Sequence, residues 1–225
     1  LGKTELWANY AVVSNEERIK MGKCPRDLLI EQVQRVSGRP FNPATIGVGS
    51  MESYDIRMSH NIKALYWNVL NATNVSASTE AVELSNYTTG GPTSAVDTTL
   101  NGNGGSDPID KVSLVYENTY RLQDMTSDYF SLVNPFYHHT RIPERSGYHC
   151  YSYALHPEEC DPTGGTNFGK LTNISFHLYP SPDAVTANDP VPVAPAVQQK
   201  FQVHFRGLNF NIVRVSGGAL GLPIL

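Results

Sequence analysis

Apolar and polar positions along this chain alternate with a period of two wherever a pattern can be read, which is the mark of half-buried strands. The clearest stretch is Leu171–Tyr179, where Ile174, Phe176 and Leu178 share one face and Asn173, Ser175 and His177 the other. Tyr54, Ile56 and Met58 alternate with Ser53, Asp55 and Arg57 in the same way, and Val112, Leu114 and Tyr116 do so against Ser113 and Glu117. Other segments are apolar on both faces. Leu65, Trp67 and Val69 stand opposite Tyr66 and Leu70, and Tyr148–Leu155 sets Tyr151, Tyr153 and Leu155 against Cys150, Ser152 and Ala154. Large residues facing one way and small ones the other predict a strand pressed against a neighbouring layer. In the tail, Phe201, Val203 and Phe205 are apolar at odd positions, after which Leu208, Phe210 and Ile212 take over at even ones. That change predicts a bulge or bend at Arg206-Gly207.

Helix signals are few. Ser14-Asn15-Glu16-Glu17 is a capping box, and the helix it opens can run only to about Lys23 because Pro25 follows. A second short helix is expected over Ser127–Val133, where Tyr129 and Val133 lie four apart. Strands are expected near Glu5–Val13, Asp27–Val36, Ser50–Met58, Lys63–Asn71, Lys111–Glu117, Tyr148–Leu155, Leu171–Tyr179 and Lys200–Val215. That number at that spacing predicts an all-β, jelly-roll sandwich of two four-stranded antiparallel sheets, with short helices in the connections.

Two segments break the pattern. Residues 71–110 are long and polar, with Thr88-Thr89-Gly90-Gly91-Pro92 and Asn101-Gly102-Asn103-Gly104-Gly105 inside, and read as a surface loop. Residues 180–197 hold five prolines, at 180, 182, 190, 192 and 195, and read as a stiff, extended connection. No internal repeat is present.

Composition narrows the partners. At 225 residues the chain can bury a sizeable core without a covalent staple. The net charge of −4, without a basic run, argues against nucleic acid as a direct partner. Three widely spaced cysteines, Cys24, Cys150 and Cys160, do not form a disulfide framework and favour a reducing compartment. No signal peptide pattern follows Leu1, which is not an initiating Met, so the chain is expected to be a piece of something longer. No window approaches 18 unbroken apolar residues. Acceptor sequons at Asn71, Asn74, Asn86 and Asn173 fit chance in a chain rich in Asn and Thr.

The groups that could carry chemistry do not assemble by spacing. His149, Cys150, His156 and Cys160 are all zinc-ligand types, but the adjacent His149 and Cys150 point to opposite faces of a strand and no paired Cys-x-x-Cys is present. Nor is there a His-x-His for a metal held between sheets. His138-His139, in the aromatic patch Phe136-Tyr137-His138-His139, reads as a contact surface or loop edge. No Gly-x-Ser-x-Gly elbow exists. Glu158-Glu159 diverge as consecutive residues and read as a solvated turn. Gly90-Gly91, Gly104-Gly105 and Gly164-Gly165 lack the strand, helix and Gly-Lys-Ser/Thr of a phosphate cradle. No catalytic, cofactor-binding or metal residue is assigned, and the chain is expected not to be an enzyme.

Several blocks in order resemble the major capsid proteins of large icosahedral nucleocytoplasmic DNA viruses, and the iridovirus members above all. They are Val13-Ser14-Asn15-Glu16-Glu17-Arg18, Pro25-Arg26-Asp27-Leu28-Leu29-Ile30-Glu31-Gln32, Asp55-Ile56-Arg57-Met58-Ser59-His60 and Lys63-Ala64-Leu65. The resemblance resumes at Lys111-Val112-Ser113-Leu114-Val115-Tyr116-Glu117-Asn118 and Arg141-Ile142-Pro143. It is strongest in Gly147–Leu155, in Asp161-Pro162-Thr163-Gly164-Gly165-Thr166-Asn167-Phe168 and in Ile212-Val213-Arg214-Val215-Ser216-Gly217-Gly218. It covers nearly the whole chain apart from the two segments that break the pattern.

The resemblance implies that residues 1–225 are the C-terminal jelly roll of a double-jelly-roll protein, which forms homotrimeric, pseudo-hexagonal capsomers of an icosahedral shell. Its partners would be two further copies, neighbouring capsomers and minor capsid proteins. Nucleic acid would not be touched directly, and an underlying viral membrane only through other proteins. The location implied is the virion capsid, assembled in host cytoplasm. A carbohydrate-binding β-sandwich is the alternative, with Tyr87, Phe136, Tyr137 and Phe168 as stacking candidates.

Overall fold

A computed structural model describes residues 3–73, 86–90, 105–190, 198–217 and 219–222. The chain divides into two units, Leu1–Ile30 with Asn211–Leu225, and Glu31–Phe210.

In the smaller unit, helix α1 spans Asn15–Lys23, with Ser14 as N-cap accepting from the Glu17 amide. Acidic Glu16 and Glu17 lie in its first turn and Lys20 and Lys23 in its last, the arrangement that the helix dipole favours. No strand forms over Glu5–Val13, and Leu6, Trp7, Tyr10 and Val12 are exposed. Apolar and aromatic residues alone cannot make a strand, because a strand also needs a ladder partner. None of the described residues supplies one. The smaller unit also holds the exposed Asp27–Arg214 pair, in which Arg214 Nε and Nη2 each donate across 2.7 Å to one carboxylate oxygen.

Most of the molecule is two sheets. The first contains β1 (Arg26–Phe41), β3 (Asn61–Asn71), β6 (His149–Ser152) and β9 (Phe201–Ser216) in the order β1-β9-β3-β6. Two short strands extend it, β7 (Thr166–Asn167) on β3 and β10 (Ala219–Gly221) on β9. The second sheet is four-stranded, β2-β8-β4-β5, from β2 (Glu52–Asp55), β4 (Ile109–Tyr116), β5 (Thr119–Thr126) and β8 (Ile174–Pro180). Its pairings are all antiparallel. A sandwich was expected, and the additions β7 and β10 make one sheet six-stranded rather than four-stranded.

The core lies between the sheets. Trp67 of β3 packs edge-on against Phe176 of β8 at 5.1 Å, and Phe176 lies 5.0 Å from Phe205 of β9. Ile174, Phe176 and Leu178 are buried as their alternation predicts, as are Tyr54, Ile56 and Met58. Ser113 departs from the pattern. It is fully buried because its hydroxyl exchanges hydrogen bonds with the Asp124 amide and carboxylate across the β4–β5 pair.

The irregularity near Gly207 has a different origin from the one expected. In β9 every odd position from Phe201 to Val213 is buried, and Phe210, which lies over the Lys63 ammonium, is the one even position buried with them, so this strand keeps its phase. The register shift lies opposite, between Ile62 and Ala64, which pair with Asn209 and Leu208. Lys63 is therefore an extra residue in β3, and the bulge lets Ile62 and Leu65 both face the core despite their odd separation. Gly207 answers to packing: a Cβ there would lie 2.5 Å from Met58 Sδ.

The hairpin joining β4 to β5 carries positive φ at both central residues, Glu117 (47°) and Asn118 (63°), which is the primed geometry that matches strand twist. Glu117 Oε1 then accepts from the amides of Thr172 and Asn173 and from the Thr172 hydroxyl, fixing the turn to the start of β8.

The expected helix over Ser127–Val133 appears as a π-helical turn, Tyr129–Val133, continuing into α3 (Asn134–His138). The expected strand Tyr148–Leu155 leaves the sheet after Ser152, because the amides of Tyr153 and Ala154 both turn to the Lys63 carbonyl, and Leu155 is exposed. A short helix, α2, covers Pro43–Ile46. Part of the proline-rich connection is helical rather than extended. Helix α4 (Pro182–Ala187) starts with Ser181 as N-cap and Pro182 in its first turn, where a missing amide costs nothing. Residues 191–197 lie outside the described residues.

Of the polar loop, residues 74–85 and 91–104 lie outside the described residues. Asn71 and Asn86 are buried and bonded. Asn71 Nδ2 donates to Gln199 Oε1 at 2.7 Å, and Asn86 Nδ2 donates to the Gly90 carbonyl at 2.9 Å. Neither side chain is accessible for glycan addition in the folded state, whereas Asn173 is exposed.

Candidate functional site

The structure brings Ser, His and Asp together, but not at positions that sequence spacing could reveal. Asp107 precedes β4, Ser127 follows β5 and His149 opens β6. Asp107 Oδ2 lies 2.7 Å from His149 Nε2, and the Ser127 hydroxyl lies 2.8 Å from that same nitrogen. The hydroxyl also donates to Asp107 Oδ2 in a short contact. A nucleophilic triad needs the imidazole between hydroxyl and carboxylate, each on its own ring nitrogen. Here both crowd one nitrogen, and His149 Nδ1 has no hydrogen-bond partner among the described residues. The ring is buried and stacked on Trp67, 10° from parallel.

The cluster is thus a polar clasp between the two sheets. Burial acts to raise the Asp107 carboxyl. The charge and hydrogen bond of His149, the Ser127 hydroxyl and the Ile109 amide outweigh it, leaving the carboxyl below its ordinary range.

Lys63 forms a second buried cluster, also unsignalled in sequence. Its ammonium is fully buried and donates to the Glu31 carboxylate and the Glu159 carbonyl, both in short contacts, with the Phe210 ring 4.9 Å away. A lysine in a β-bulge is an unusual place for a buried charge, and these partners satisfy it.

The residues considered for a metal do not converge. His149 belongs to the clasp, and Cys150 packs on the opposite face with Asn134 and His139. His156 and Cys160 are exposed. Among the described residues, no three His, Cys, Asp or Glu side chains gather around a metal position. His138 and His139 do splay. Nδ1 of His138 lies 3.1 Å from the Leu155 carbonyl, while His139 turns inward, with Nε2 3.1 Å from the Tyr66 hydroxyl. Glu158 accepts from the Thr140 amide and hydroxyl.

The four stacking candidates do not form a sugar platform. Phe168 is buried in the core, against Tyr116 and Tyr153, because it opens a 3₁₀ turn directly beneath β3. Tyr87 packs on Tyr148. Only Phe136 and Tyr137 are well exposed, 5.4 Å apart, beside exposed Leu132 and Val133 of the same helical segment.

What the described residues display is exposed apolar surface on a two-sheet frame shared with viral capsid proteins. The PBCV-1 virus capsid superimposes with a TM-score of 0.70 at 23% identity, over 95% of this chain and 55% of that one. The Faustovirus major capsid protein does so with a TM-score of 0.56 at 12% identity, over 91% and 36%. The class defined is a viral jelly-roll capsid fold.

The sequence matches go further. The family model for the large eukaryotic DNA virus major capsid protein matches residues 17–221, and the chain belongs to that family. The major capsid protein of Costelytra zealandica iridescent virus is 48% identical over 229 residues, covering 100% of this chain and 48% of that protein. That of Invertebrate iridescent virus 6 is 47% identical, over 98% and 46%. That of Frog virus 3 is 37% identical, over 99% and 47%. The chain spans about half the length of these relatives. The family is one of capsid proteins, which is not an enzyme class.

Proposed function

We propose that this chain is the C-terminal jelly roll of a tandem pair, and that three copies of the tandem protein form one pseudo-hexagonal capsomer of an icosahedral shell. The observation that carries the reading is 48% identity along the entire chain to a viral major capsid protein about twice as long. Exposed apolar residues support it. Leu6, Trp7, Tyr10 and Val12 lie exposed on an apolar segment with no ladder partner among the described residues, which is what a strand awaiting another surface looks like.

Two similar sandwiches side by side present six near-equivalent edges per trimer, suited to hexagonal packing, and a closed trimer buries its own seams. Further partners in this reading are neighbouring capsomers and minor capsid proteins, with assembly in host cytoplasm. The polar loop 71–110 would face outward or contact the lattice.

Light scattering on the full-length protein tests it. Trimers are expected, and a stable monomer at micromolar concentration would sink the proposal. Imaging of assembled particles then places residues 71–110.

A further inference from the structure

Beyond the shell, one cavity of about 370 Å³ is built in the larger unit, a volume within the range of small-molecule sites. Its floor is the outer face of the first sheet, where Tyr66 of β3 pairs with Cys150 of β6 on one side and Arg206 of β9 on the other. Pro135 and His139 form a wall, since α3 and the residues after it cross that face. The rim is the Tyr87–Tyr148 pair, ring centroids 5.1 Å apart. Gly147 makes this rim close. Its φ is +87°, and a Cβ there would lie 2.3 Å from the Tyr87 carbonyl oxygen.

The chemistry of the lining is one-sided. Aromatic rings and prolines supply most of it, and two guanidiniums, Arg141 and Arg206, supply the charge. No carboxylate belongs to the lining. Neither arginine forms a salt bridge with a described residue, whereas Asp27 holds Arg214 in a two-point pair. The nearest acidic influence on the wall is Glu158, which Thr140 holds through its amide and hydroxyl. Burial lowers the His139 pKa and so disfavours a charged imidazole on the wall. The floor offers one more polar group. Asn68 is buried on the Tyr66 face of β3, and its side-chain oxygen has no partner among the described residues.

We propose that this cavity binds a small amphiphilic anion, a flat or linear apolar body ending in one carboxylate or phosphate, with the head at Arg141 and Arg206 and the body against the tyrosines and prolines. A guanidinium matches either head through a two-point hydrogen bond, and the apolar walls exclude water from it. A neutral body alone would leave both cations unpaired, and inorganic phosphate would leave the apolar walls wet.

The test uses the 225-residue chain with decanoate, decyl phosphate, 1-decanol and inorganic phosphate as probes, followed by calorimetry. Both anionic amphiphiles should bind about tenfold or more tighter than 1-decanol, the size of one charged hydrogen bond. The two heads together report whether a carboxylate or a phosphate source fits better. Arg141→Gln with Arg206→Gln should abolish that difference and leave 1-decanol unchanged. Arg141→Gln alone, at an exposed position, should remove part of it with the fold intact.

A second readout locates the ligand. The chain has two tryptophans, Trp7 and Trp67, and Trp67 borders the cavity. In a Trp7→Phe background, a terminally brominated decanoate should quench the remaining emission. Equal affinity for decanoate and 1-decanol, inorganic phosphate binding as well as decanoate, no binding at millimolar probe, or no quenching would each overturn the proposal.

Discussion

Asp107 Oδ2 and His149 Nε2 lie 2.7 Å apart in a partly buried pair that ties the residues leading into β4 of one sheet to the start of β6 of the other. A carboxyl held below its ordinary value stabilises the fold above the unfolded value, about 4, and that contribution is lost as pH falls through the lower folded value. Chemical denaturation between pH 7 and pH 2 should show stability dropping over the acid end of that range. Asp107→Ala should flatten that part of the drop and cost about 1–3 kcal/mol at pH 7, because His149 and Ser127 lose their acceptor.

Glu117 shows the same sign by another route. Its carboxylate is lowered by the Thr172 hydroxyl and amide and then by the Asn173 amide. Its contribution is therefore also present above the unfolded value and lost in acid. Glu117→Gln should lower the melting temperature at pH 7 and have little effect at pH 2, as thermal scans at the two values would show.

The Lys63 ammonium is buried against Glu31, so removing one partner strands the other. Glu31→Ala should cost about 3–5 kcal/mol, while Glu31→Gln with Lys63→Met should recover most of the loss. A double-mutant cycle by urea denaturation measures both. Deleting Lys63 should be better tolerated than Glu31→Ala, because removing the extra residue brings Ile62 and Leu65 to an even separation at which a regular strand turns both to the core. A retained cooperative transition is the expected result.

Cys150 is buried and its thiol pKa is pushed up to about 12 by desolvation, while Cys24 and Cys160 are exposed. Maleimide at pH 7.5 should label the latter two in the native chain and all three in denaturant, read by intact mass. A native triple label would contradict the burial of β6.

Gly147 should not tolerate a side chain. Gly147→Ala meets both a positive φ and the Tyr87 carbonyl, and should cost about 1–3 kcal/mol in chemical denaturation. The same change should open the Tyr87–Tyr148 rim and raise the exposure of both rings, visible in near-ultraviolet circular dichroism.

Residue patterning by itself determined the sandwich class, the capped helix Asn15–Lys23 and most strand positions. Each of these follows from neighbours a few residues apart, where side-chain period and capping chemistry act. Strand β5 escaped it, because the turn before it is Glu117-Asn118 rather than the Asn-Gly that usually marks such a hairpin. The family resemblance was likewise legible, since it rests on ordered blocks of residues.

Tertiary structure alone decided the rest. Lys63 became the bulge because its partner strand lies nearly 150 positions away, and only that register shows two residues opposing one. Asp107, Ser127 and His149 met because two sheets packed face to face. The cavity beneath Tyr87 and Tyr148 exists because a helix crosses the back of a sheet. Glu5–Val13 carries the apolar and aromatic residues of a strand and forms none, since hydrogen-bond ladders need a second chain segment that no local pattern can supply.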